Sequence, residues 1–154
     1  MASKGNTFEN QLLLHVFNNA NIALIGDATG LLAAGTVGSL YVSLHYANPD
    51  ETGDQTTSEM DYTGTPNYTR QAVARATGAG GWNVSGNAVN IVSEVAFSEK
   101  TGGTDRTVTH FAVGTAASGA GKILYWGLCA PNIAVTNGVT PRFAATTGLI
   151  ITED

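Results

Sequence analysis

The chain has 154 residues, 43% of them hydrophobic, which is one domain's worth of sequence and enough to bury a core without staples. Twelve acids against seven bases give a net charge of −5, which argues against a partner with a phosphate backbone; no nucleic acid is expected. Charged residues make up only 12%, well below the share a solvated monomer usually wears, so partners are expected to cover part of the surface.

Glycine (19) and threonine (20) are abundant, one suited to turns and the other to strands, and together they point to all-β construction. Cys129 is the single cysteine, so the chain holds no internal disulfide and no Cys-based zinc site. It lies in an apolar run and reads as a small buried hydrophobe. No stretch reaches the roughly 18 apolar residues that span a bilayer. "MASKGNTFEN" lacks the apolar core of a signal peptide, so the expectation is synthesis in a cytoplasm and no membrane association.

The first element is a helix over 7–20. Thr7 is the expected cap and Glu9 sits in the first turn; Phe8, Leu12 and Val16 recur at four-residue spacing beside Leu13 and Phe17. His15 reads as a surface or boundary residue. Segment 22–38 is small and apolar and reads as an arm or loop. "SLYVSLHYA" (39–47) alternates Leu40, Val42, Leu44 and Tyr46 against Tyr41, Ser43 and His45, as a half-buried strand does. The loop after it carries Asp50, Glu51, Asp54, Glu59 and Asp61 and no base, and reads as exposed.

Short strands follow: "YTRQAVARA", "WNVSG", "NAVNIVSEVAFS", "TVTHFAVG", "KILYWGLCA", "NIAVTNGVTPR" and "FAATTGLIIT". "EKTGGTDR" reads as a hairpin loop with Gly102-Gly103 at its apex. Strands joined by Gly, Asn and Pro turns give the expected fold class: mostly β, an antiparallel β-sandwich of jelly-roll type with one N-terminal α-helix. No linker divides the chain, so 1–154 reads as a single domain, with 39–152 forming the sandwich.

Motifs for chemistry fail one after another. The Gly/Ala patch ends in Gly121-Lys122, as a phosphate loop does, but Ala116 stands where that loop needs its first glycine. Ile123 replaces the Mg²⁺-binding hydroxyl, and a strand follows instead of a helix. The acids of loop 50–61 match no calcium loop. His15, His45 and His110 have no acid at relay or ligand spacing, though His45 and His110 lie in strands that allow them to meet. No serine has a hydrolase elbow around it, and Glu94 and Glu99 are too isolated for a glycosidase pair. No enzyme, catalytic residue, cofactor or metal is therefore expected. In "KILYWGL", Leu124, Trp126 and Leu128 share one apolar face and Ile123, Tyr125 and Cys129 the other. This reads as a strand covered on both sides, with Trp126 in a core. A sugar platform at Trp126 or Trp82 is the alternative.

"NYTRQAVARA", "VTHFAVGTAASGAGKILYWGLCAP" and "VTNGVTPRFAATTGLIIT" resemble a family of small tailed-bacteriophage virion proteins, and "ENQLLLHVF" resembles that family's opening helix. The likeness runs over about residues 7–152. It implies a virion part made in the bacterial host: a homo-oligomeric capsid decoration or cement protein clamping the major capsid protein. The alternative is a tail fibre or appendage that meets other tail proteins or a host surface receptor. Segment 22–38 and the acidic loop depart from the family pattern. They are the candidate partner contacts, the loop through Asp50, Glu51, Asp54, Glu59 and Asp61.

Overall fold

The computed structural model describes residues 3–153. It holds one helix and antiparallel sheets, none closed into a barrel, which is the expected mostly-β class. The chain forms two compact units. The first takes residues up to Ser39, Val73–Glu94 and the stretch from Ala144; the second takes Leu40–Ala72 and Val95–Phe143.

In the first unit α1 (Asn6–Asn18) packs on β4 (Trp82–Ser85) and β5 (Ala88–Ile91), and β11 (Ile150–Thr152) completes a sheet of order β11-β5-β4. The helix starts one residue earlier than its sequence signals. Gly5 is the N-cap, Thr7 makes no capping bond, and Asn19 closes the end in a left-handed turn at φ 52°. Its four-residue spacing is real but one position round from the expected stripe. Glu9, Leu13 and Phe17 are buried, while Phe8 is exposed. Phe17 meets Trp82 edge-on at 4.7 Å, and Ile22, Val89, Ile91, Leu149 and Ile151 fill in around this unit's core. Arg75 donates to the carbonyls of His15 and Val16 at 2.6 and 2.7 Å, satisfying acceptors that the last helical turn leaves open.

In the second unit β1 (Ser39–His45), β8 (Arg106–Gly114) and β9 (Ile123–Val135) stand side by side with β9 outermost. On the far side of β1 lies β3 (Gln71–Ala74), which carries the chain into the first unit. Two small pairs complete the unit, β2 (Thr63–Gly64) with β7 (Lys100–Gly102) and β10 (Arg142–Phe143) with β6 (Val95–Ala96). Its core is aromatic: Tyr68 stacks on Phe97, and Phe143 stands edge-on to both Phe97 and Phe111.

Several expected boundaries move. "KILYWGLCA" and "NIAVTNGVTPR" merge into the long β9, because its register against β8 slips past Cys129-Ala130-Pro131-Asn132 instead of ending there. "EKTGGTDR" is not a hairpin: β7 pairs with β2 and β8 pairs with β1 and β9. The turn is held from within. Lys100 is fully buried, and its ammonium donates to Gly103 O, Asp105 Oδ1 and Asn137 Oδ1, which uses all three of its protons.

Candidate interaction surfaces

Segment 22–38 is an ordered arm whose backbone is tied down by polar groups. Ile22 and Leu31 exchange backbone hydrogen bonds of 2.9 and 2.8 Å. Asp27 Oδ1 accepts from the amides of Thr29 and Gly30 at the tip, an Asx turn. Asn19 grips Ala34 at both its N–H and its C=O, and Asn21 accepts from the Ala33 amide. Gly30 is required here, since it has φ +69° and a Cβ would strike the Ile22 carbonyl.

With its backbone satisfied inward, the arm turns its apolar side chains out. Leu24 is 80% exposed, Leu32 61% and Val37 54%, with Ile25 and Leu31 also exposed. Leu24 holds a left-handed φ of 65°, a conformation that costs a branched apolar residue energy and that its fold must impose. The arm thus leaves apolar side chains in water on a hydrogen-bonded backbone.

The acidic loop behaves in the opposite way. Its sequence reads as exposed, yet Gln55, Met60 and Tyr62 are buried and the loop lies over β1. Gln55 fastens it: its amide N–H donates to Gly121 O, and its side-chain oxygen accepts from Ala116 N. A Cβ at Gly114 or Gly121 would collide with that side chain, which explains two glycines of the patch. The patch itself is a turn, and β9 follows it where a phosphate loop would need a helix.

Arg70 locks the same region. Its guanidinium grips both Glu59 oxygens at 2.7 Å and donates to the carbonyls of Ala116 and Gly119. Tyr68 donates to Glu59 and accepts from the Leu44 amide; burial, then the Glu59 charge, pushes its phenol well above its ordinary value. The hydrogen bonds that Arg70 donates to Glu59 are the largest reason that it is held in its charged form.

The covered side of β1 is where the half-buried expectation fails: Ser43 and His45 are fully buried beneath the loop. His45 Nδ1 lies 2.8 Å from Thr57 O and so carries the proton, leaving Nε2 to accept from Ser43 Oγ. Burial lowers its pKa and keeps it neutral. His45 and His110 do meet, directly opposite in the β1–β8 register. His15 Nδ1 lies 2.7 Å from Ala20 O. Among the described residues no group of three or more His, Cys, Asp or Glu is placed to hold a metal ion.

The five acids named from sequence separate in space. Asp50 and Glu51 are exposed at the loop tip, and Asp61 is exposed 3.8 Å from Arg106. Asp54 caps its own turn, with the Thr56 hydroxyl and amide holding its carboxyl below the ordinary value. Glu59 belongs to the Arg70 lock. Asp50 and Glu51 share an open cavity of about 210 Å³ lined also by Gly53, Ile123, Leu124 and Trp126, while Glu59 and Asp61 line another of about 260 Å³ with Tyr68 and Arg70.

Trp126 corrects the two-sided reading of β9. It is 38% exposed, at 6.0 Å from the His110 ring, and Leu128 is 71% exposed, so the Leu124–Trp126–Leu128 face is open. Cys129 on the other face is buried, which raises its thiol to about 12. Alternation along β9 signalled two faces correctly. It carried no sign of which face the rest of the chain leaves open. Sequence reasoning also missed Arg70, Gln55 and Lys100, whose partners lie in distant loops.

Among the described residues no helix is long and apolar enough to cross a membrane. No curated protein matches the chain. The family model described as podophage GP4 fiber I protein gp80 matches residues 3–150. With nearly every residue inside that match, and with the "LYWG" strand and opening helix set in the fold as described, the chain belongs to this family of phage structural proteins.

Proposed function

We propose that this chain is a fibre subunit of a podophage tail, built into the particle through the apolar arm 22–38. The family's name, which describes a fibre protein and spans almost the whole chain, carries this reading. The arm supplies a physical means: leucines held outward on a hydrogen-bonded backbone release apolar surface from water when a neighbour covers them, at about 25 cal/mol per Å². Repetition in a symmetric assembly multiplies modest contacts into lasting retention. In this reading the chain is a binding and building part that performs no reaction, and its partners are other tail proteins and further copies of itself.

Capsid decoration would use the same arm on the major capsid protein. Copy number and position separate the two. Purified particles labelled with antibody to this chain are expected to show signal at the tail, at a small fraction of the major capsid protein's stoichiometry by quantitative mass spectrometry. Signal over the head in near equality with the capsid protein would return the decoration reading and overturn the fibre one.

A further inference from the structure

We propose that the outer edge of β9 over 123–128 takes an added β-strand from another protein, an extended segment of alternating apolar residues carrying a lysine or arginine. Three features of the second unit coincide there. As the outermost strand of its sheet, β9 turns one row of backbone N–H and C=O groups away from β8. Trp126 and Leu128 then alternate along one face, 38% and 71% exposed, with Leu124 at the register slip before them, so an added strand would find apolar neighbours there.

Asp50 and Glu51 line the cavity that Ile123, Leu124 and Trp126 complete, and among the described residues no ion pair engages either acid. Their charge calls for a cation on the incoming strand. A second copy of this chain is a poorer complement: in the antiparallel register that sets Trp126 beside its own copy, Lys122 falls opposite Ala130, away from the acids.

Edges are commonly protected by a charged residue or a proline within the strand. "ILYWGL" has neither, but the register against β8 slips twice, at Leu124 and, with Pro131, at 129–132, so the regular stretch of the edge is 125–128. The edge is regular at Trp126 and Leu128, between the two slips, with the acids beside its near end. This assignment does not depend on whether the chain sits at the tail or the head.

The test uses a capped synthetic peptide of alternating valine and threonine with a lysine at each end, and a twin with glutamate in place of lysine. Titrated into the full-length chain, the lysine peptide is expected to shift the backbone amides of 123–128 by NMR. It is expected to bind about fivefold more tightly than its twin, as two exposed ion pairs allow. The Asp50→Asn/Glu51→Gln double variant is expected to erase that preference, and Leu128→Lys to abolish binding with an unchanged circular dichroism spectrum. No shift at 123–128, or equal binding of the two peptides, overturns the proposal. So does a dimer in sedimentation that Leu128→Lys dissolves, which would make the occupant a second copy.

Discussion

The arm over 22–38 and the acidic loop over 50–61 reverse what their compositions suggest. The loop is polar, yet Gln55, Met60 and the Glu59–Arg70 pair tie it down onto β1. The arm is apolar, yet Leu24, Leu32 and Val37 face solvent. Backbone accounting explains both. A polar segment can lie against a sheet when its side chains satisfy buried carbonyls and amides, as Gln55 and Arg70 do. An apolar segment can stay ordered in the open when asparagines such as Asn19 and Asn21 hold its backbone for it.

The largest expected effect breaks the loop's side of this comparison. Arg70→Met leaves the Glu59 carboxylate without its counterion and two carbonyls without donors, at a cost of about 3–5 kcal/mol. Urea denaturation reads this directly, and a loss under 1 kcal/mol would mean that the loop rests on the sheet by packing alone. Next in size, Gly114→Ala pushes a methyl group into the Gln55 side chain and is expected to cost about 1–3 kcal/mol. Gln55→Ala in the same chain should remove most of that clash, so the double variant falls short of the sum of the singles.

A smaller, pH-dependent effect sharpens the comparison. Burial holds the folded pKa of His45 below its unfolded value near 6.5. Above that value both states are neutral and His45 costs nothing. As pH falls through it, the unfolded chain takes up the proton first, so stability drops until the folded pKa is also passed. Denaturation midpoints measured from pH 7.5 down to 5 are expected to fall, and His45→Gln to flatten that slope. An unchanged slope would show that the loop does not seal His45 from water.

Much of this was legible in the sequence. Glycine, threonine and strand alternation gave the antiparallel class and the opening helix was foreseen, though it ends at Asn18 under an Asn19 cap instead of running to 20. The failed match around Gly121-Lys122 gave the turn correctly, because a strand rather than a helix follows it. Legibility ended where distant parts meet. Lys100 looks like a surface lysine until Asn137 comes beside it, and Arg70 like one more strand residue until Glu59 and Ala116 do. Trp126 looked like core because alternation shows that a strand has two apolar faces, while only the path of a remote loop decides which face is covered. The arm was singled out as an unusual segment. Its exposure followed from asparagine bonds that no hydrophobic pattern encodes.

The central claim is that the arm's outward leucines exist for assembly. A Leu24→Ser/Leu32→Ser chain, changed only at exposed positions, is expected to keep its stability within about 0.5 kcal/mol. Supplied to a phage lacking its own copy, that chain should be missing from purified particles while the unaltered chain is incorporated. Incorporation of the double variant at the unaltered level would contradict the account.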